Sequence, residues 1–71
     1  MSPTDIIICH LLKKHGELTQ EQIEVLSGLH QSTISRAKKR LVNDSVITQR
    51  RDWPHTYLNL RQQFYNKIKI L

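Results

Sequence analysis

Apolar residues recur along this chain at two different periods, and the change of period divides it. Ile7, Ile8, Leu11 and Leu12 fall at three- and four-residue spacing, the mark of one helical face. Ser2 stands ahead of them as a helix cap, Pro3 occupies the first helical position where a missing N–H costs nothing, and Asp5 faces the positive end of the helix dipole. Lys13, Lys14 and His15 suit a last turn and Gly16 the residue beyond it, so a first helix is predicted over 3–15. Thr19 and Gln22 spell a capping box, with Leu18 and Ile23 as the apolar pair that staples such a start. A second helix therefore covers 20–27 and ends at Gly28; barely two turns long, it must pack on a neighbour to persist. Ile34, Ala37 and Leu41 lie at i, i+3 and i+7 and predict a third helix over 31–43, stopped at Asn43-Asp44.

Beyond Asp44 the period drops to two. Val46 to Arg51 and Thr56 to Leu60 are β-prone, and Asp52-Trp53-Pro54-His55 between them carries turn chemistry. Pro54 cannot sit inside a paired strand, which places the turn of a hairpin spanning 46–60. Phe64, Ile68 and Leu71 return to helical spacing and predict a C-terminal helix over 61–71. The expected core is Ile7, Leu11, Ile23, Leu26, Leu29, Ile34, Ala37, Leu41, Ile47, Leu58 and Leu60, with Cys9 pointing into it. A lone tryptophan in so small a chain is expected in that core more than against a ligand, which leaves Trp53 open between the two. The fold class is mainly α with a small β-hairpin, in one domain over 1–71.

The segment Thr19 to Ile47, TQEQIEVLSGLHQSTISRAKKRLVNDSVI, carries a resemblance. An apolar-lined helix, a Gly-plus-apolar turn at Gly28-Leu29, and a Ser-Thr-aliphatic-Ser-Arg helix leading into a hairpin resemble the winged helix-turn-helix DNA-binding domains of small bacterial, phage and plasmid regulators. One position departs from that pattern. Four residues before the turn glycine such domains commonly have Ala, where two helices cross closely, and here Glu24 stands there. Either the crossing is splayed, or Glu24 tilts out while Val25 and Leu26 fill the contact. The resemblance implies binding to double-stranded DNA as a small transcriptional regulator, with the third helix in the major groove and the hairpin as a basic wing.

Charge points the same way. The 71 residues carry a net charge of +5, yet residues 1–29 are net −2 and residues 30–71 net +7. A basic half of this kind suits a polyanion. B-DNA's major groove is about 12 Å wide and admits one helix. With Ile34, Ala37 and Leu41 turned inward, Ser32, Ser35, Arg36 and Lys39 lie on the opposite side of helix 31–43, flanked by Gln31, Thr33 and Arg40. Arg36 suits a bidentate pair with guanine and Gln31 a pair with adenine, whereas Lys39 and Arg40 suit phosphate. In the hairpin, Arg50, Arg51 and His55 are the candidate contacts to the minor groove or its phosphates.

Other chemistries find little support. His10 and His15 are five apart on a helix and share no face, and no acid or cysteine completes a metal set by spacing. A single cysteine excludes an internal disulfide and fits a reducing, cytoplasmic setting. No nucleophile triad or glycine-rich phosphate loop appears, so neither catalysis nor a cofactor is expected. The longest apolar run, Ile6 to Cys9, is far short of the ~20 residues that span a bilayer, and the start MSPTD lacks the pattern of a secretory signal. No small-molecule ligand is evident. Phe64, Tyr65, Ile68, Ile70 and Leu71 exceed what one buried stripe requires, and Phe64, Ile68 and Leu71 among them suit a homodimer seam. An excisionase-like or replication-initiation DNA-binding factor is the nearest alternative; a protein-interaction module without DNA binding is the alternative of another class.

Overall fold

The chain's first two helices begin at reciprocal caps. In the computed structural model, which describes residues 1–68, α1 runs Pro3–His15. Ser2 Oγ accepts the Asp5 N–H at 3.2 Å, and the Asp5 carboxylate accepts the Ser2 N–H in return. Asp5 thus closes a capping box as well as facing the dipole. Gly16, at φ +82°, ends the helix in a conformation that side chains with a Cβ rarely take. Thr19 and Gln22 form the second box, at 3.2 and 2.8 Å, and start α2, Gln20–Ser27. Gly28, left-handed at φ +72°, turns the chain into α3, Gln31–Asn43.

Strands β2, Ile47–Asp52, and β3, His55–Leu60, pair antiparallel from Ile47↔Leu60 to Asp52↔His55, which leaves Trp53-Pro54 as the two-residue tip. A short strand absent from the sequence reading joins them: β1, Leu18–Thr19, pairs with β3 through Leu18↔Leu58 and Thr19↔Tyr57. The sheet order is β1-β3-β2. Leu18 therefore staples the start of α2 and seals the sheet against Leu58 at the same time. The C-terminal segment departs from expectation in kind, being a 3₁₀ helix over Gln62–Lys67 rather than an α-helix. Ile68 is nevertheless buried, and its carbonyl accepts the Lys13 ammonium at 2.6 Å, which ties this segment back to α1. Leu71, the last of the predicted seam positions, lies outside the described residues.

The core gathers Ile8, Cys9 and Leu12 of α1, Ile23 of α2, Ile34, Ala37 and Leu41 of α3, and Leu18, Val46, Ile47, Leu58, Leu60 and Ile68. Four of the predicted members fall short of full burial. Ile7 is 40% exposed and Leu26 47%, while Leu11 and Leu29 are only partly covered. In α1 the buried stripe is Asp5, Ile8, Cys9 and Leu12, a regular i, i+3, i+4, i+7 set rotated by one residue from the one expected. The six apolar residues of α1 extend around more of the helix than its neighbours cover, and Ile6 and Ile7 are left on the exposed edge. At the α2–α3 crossing, Val25 and Leu26 do not fill the contact. Val25 is 83% exposed, and Glu24 is half-buried at the crossing edge. Trp53, at 92% exposure, is not core: a two-residue tip at the far end of the hairpin has no core within reach.

Candidate nucleic-acid interface

Helix α3 starts on an unusual cap. His30 Nδ1 accepts the Ser32 N–H at 3.1 Å and lies 2.8 Å from Ser32 Oγ, doing with an imidazole what Ser, Thr, Asp or Asn usually do. With Ile34, Ala37 and Leu41 sunk in the core, Gln31, Ser32, Arg36 and Lys39 are exposed, and Thr33 and Ser35 sit half-buried at the edges of the exposed face. Among the described residues, Arg36, Lys38, Lys39 and Arg51 make no ion pair or side-chain hydrogen bond. Two free cations on the outer face of a helix are an unspent electrostatic resource.

Arg40 is not in that condition. It follows Lys39 in sequence, but ~100° of helical rotation turns it toward α1. There its guanidinium donates to Asp5 Oδ1 at 2.9 Å and, more weakly, to Ser2 Oγ at 3.4 Å. Thr33, seven residues earlier, shares this side. Burial alone would push the Asp5 carboxyl up, but the bonds from Arg40 and Ser2 outweigh it and hold the group below its ordinary range.

The hairpin separates its two arginines in the same way. Strand alternation puts Arg50 on one face with Tyr57 and Asn59, and Arg51 on the other with Thr56 and the buried Leu58. Arg50 donates twice to Glu17, through Nη2 to Oε1 at 2.8 Å and Nε to Oε2 at 3.1 Å, and lies 4.6 Å above the Tyr57 ring. Asn59 Nδ2 donates to the same carboxylate at 2.7 Å, and Asp52 stands 3.5 Å from Arg50 Nη1. Hydrogen bonds from Arg50 first, and then Asn59, hold the Glu17 carboxyl at about 2, and Glu17 raises the guanidinium in turn.

Lys38 was missing from the sequence reading. It borders a cleft of about 170 Å³ between α2, α3 and the hairpin, with Gln20 and Glu21 on one wall and His55 and Thr56 on the other. One residue past buried Ala37, Lys38 reads in sequence as an edge position, and only the return of β3 across the sheet sets His55 opposite it. The four histidines do not converge: among the described residues no three of His, Cys, Asp and Glu are grouped to hold a metal ion. Cys9 is buried, and desolvation, with the charge of Asp5, pushes its thiol up to about 11. Among the described residues no helix is long and apolar enough to cross a membrane.

Three helices, the second and third joined at a glycine turn, and a hairpin completed by a strand between the first two helices define the winged-helix fold. Solved structures agree. The chain superposes on a probable transcriptional regulator from Pseudomonas aeruginosa with a TM-score of 0.85 at 20% identity, covering 94% of this chain and 53% of that one. A MarR family protein from Bacillus stearothermophilus gives 0.85 at 19% identity, with 96% and 49% covered. A transcriptional regulator from Thermotoga maritima gives 0.80 at 22%, with 94% and 47% covered. The chain thus spans about half the length of these structures. No protein-family model matches the sequence, and neither does any curated protein sequence.

Proposed function

We propose that this chain binds double-stranded DNA with sequence preference, as a non-enzymatic regulator of transcription acting in the cytoplasm. The observation that carries the reading is the outer face of α3, where Ser32, Arg36 and Lys39 are exposed and neither cation has a partner among the described residues. Short hydroxyl side chains at the start of that helix let its backbone approach DNA closely. Arg36, midway along the face, addresses guanine; Gln31, Ser32 and Ser35 address neighbouring base edges; Lys39 lies toward phosphate. Arg51 from one face of the hairpin and His55, beside Tyr57 on the other, bring the wing to the adjoining backbone, and Lys38, between helix and wing, adds a cation there. Arg40 and Arg50 leave the contact set, since each is spent inside the molecule. The resemblance to regulator structures supports the regulatory reading. Pairing of two copies would double the contacts that one small module makes, but Ile68 is buried in the chain's own core and is not free to form the seam.

The test separates reading from holding. After selection of a preferred site from random duplexes, Arg36→Ala is expected to cost about 1–3 kcal/mol on that site and little on random DNA. Lys39→Ala should weaken both alike and flatten the plot of log affinity against log salt by about 0.9. An unaltered chain without salt-sensitive duplex binding refutes the proposal and leaves the interaction-module alternative.

A further inference from the structure

Arg50 of the wing is held chiefly by a residue that lies outside both helix and wing. Glu17 sits in the connection between α1 and β1, and its two carboxylate oxygens take the two donors of Arg50 in a fork. A fork of this kind is among the stronger hydrogen-bonded arrangements available to a carboxylate. Asn59 fixes the carboxylate from a third direction, and Tyr57 backs the guanidinium with its ring face. These contacts hold the Nε–Nη2 edge of the guanidinium, and a phosphate could take that edge only by displacing the Glu17 carboxylate. Arg51, one residue on, faces the other side of the hairpin, the side shared with Thr56 and the Lys38 cleft, and makes no ion pair among the described residues.

We propose that Glu17 withholds Arg50 from DNA, so that the wing delivers one arginine, Arg51, to the phosphate backbone; this rests on the DNA-binding reading above. Glu17 is then a positioning residue that trades sequence-independent attraction for a fixed wing. Each phosphate contact adds affinity for every sequence alike. A wing limited to one arginine therefore leaves a larger share of discrimination to the base-reading face of α3.

Salt dependence counts phosphate contacts, so it reads the proposal directly. The probe is a random-sequence duplex of about 20 base pairs, titrated by fluorescence anisotropy across a salt series, where each contact contributes about 0.9 to the slope. Arg51→Gln is expected to flatten the slope by about 0.9, and Arg50→Gln to leave it unchanged. Glu17→Gln, which removes the forked acceptor and leaves Arg50 only the weak contact with Asp52 at 3.5 Å, should steepen the slope by about the same amount, and the Glu17→Gln/Arg50→Gln pair should restore it. A purely structural Glu17 would not produce that reversal. Far-UV circular dichroism checks that each variant folds; should Glu17→Gln fail, the comparison of Arg50→Gln with Arg51→Gln still decides. Flattening by Arg50→Gln as large as that by Arg51→Gln overturns the proposal, as does a folded Glu17→Gln with an unchanged slope. Loss of the DNA-binding reading itself is distinguishable, because it shows in the unaltered chain as no salt-sensitive binding.

Discussion

Ile34 is fully buried at the centre of α3, one helical face away from the side chains assigned to DNA, so truncating it tests the fold without touching the interface. Ile34→Ala should lower unfolding free energy by about 2–5 kcal/mol in a denaturant titration, the cost of lost transfer energy and a residual cavity. For a domain this small that is a large part of the total. Trp53 makes the opposite test. It is exposed at the hairpin tip, and Trp53→Ala should change stability by no more than about 0.5 kcal/mol. A large loss of stability in that variant would mean that the indole folds back over the core. Both residues are large and carry mostly apolar surface, so either is a candidate for the core. Their difference comes from position: Ile34 lies on a helix packed from two sides, whereas Trp53 lies at the end of a lever two strands long.

Among the elements, α2 depends most on its ends. It has eight residues, one of them fully buried, and its first turn is closed by the Thr19–Gln22 box. Thr19→Ala removes the acceptor for the Gln22 N–H and should cost about 0.5–2 kcal/mol, with Thr19→Asn or Thr19→Asp recovering most of it. Failure of Asn and Asp to recover it would assign the loss to the β1–β3 pairing, in which Thr19 also takes part. Helix spans were legible in the sequence because caps, glycines and apolar spacing are local signals. Strand β1 was not, since two residues have no period and exist as a strand only because β3 lies beside them. Likewise the C-terminal segment has helical spacing at Phe64 and Ile68, yet 3₁₀ geometry, closing on α1 through the bond from Lys13 to Ile68.

At the scale of the whole molecule, two carboxylates near the two ends of α1 clamp the chain's acidic half onto its basic half. Asp5 binds Arg40 of α3 and Glu17 binds Arg50 of the wing. Both carboxyls are held below their ordinary values of 3.8 and 4.5, so each stabilises the fold fully above its unfolded value and loses that contribution as pH falls. For Glu17 the loss runs from about 4.5 down through about 2. The thermal midpoint should therefore change little on account of these groups above pH 5, and decline as the solution is acidified from pH 4.5 toward 2. Asp5→Asn/Glu17→Gln should show a lower midpoint at neutral pH and a shallower decline. An equally steep decline in that variant would place the acid sensitivity in other groups.

The order of three helices and a hairpin, the inward stripe of α3 and the basic character of the second half were all determined by the sequence itself. These depend on contacts three or four residues apart, or on a sum of charges, and such quantities are present in a linear string. Tertiary structure alone decided which cations remain free. Lys39 and Arg40 are neighbours in sequence, as are Arg50 and Arg51, and composition counts each pair as two equal charges. Helical rotation carries Arg40 to Asp5, 35 residues away, and strand alternation carries Arg50 to Glu17, 33 away. At 50–51 a period of two already places the adjacent arginines on opposite faces. Even with it applied, the identity of the acid waiting on each face follows only from how α1, α3 and the sheet pack, because an ion pair is fixed by distance in space and carries no mark in the chain order.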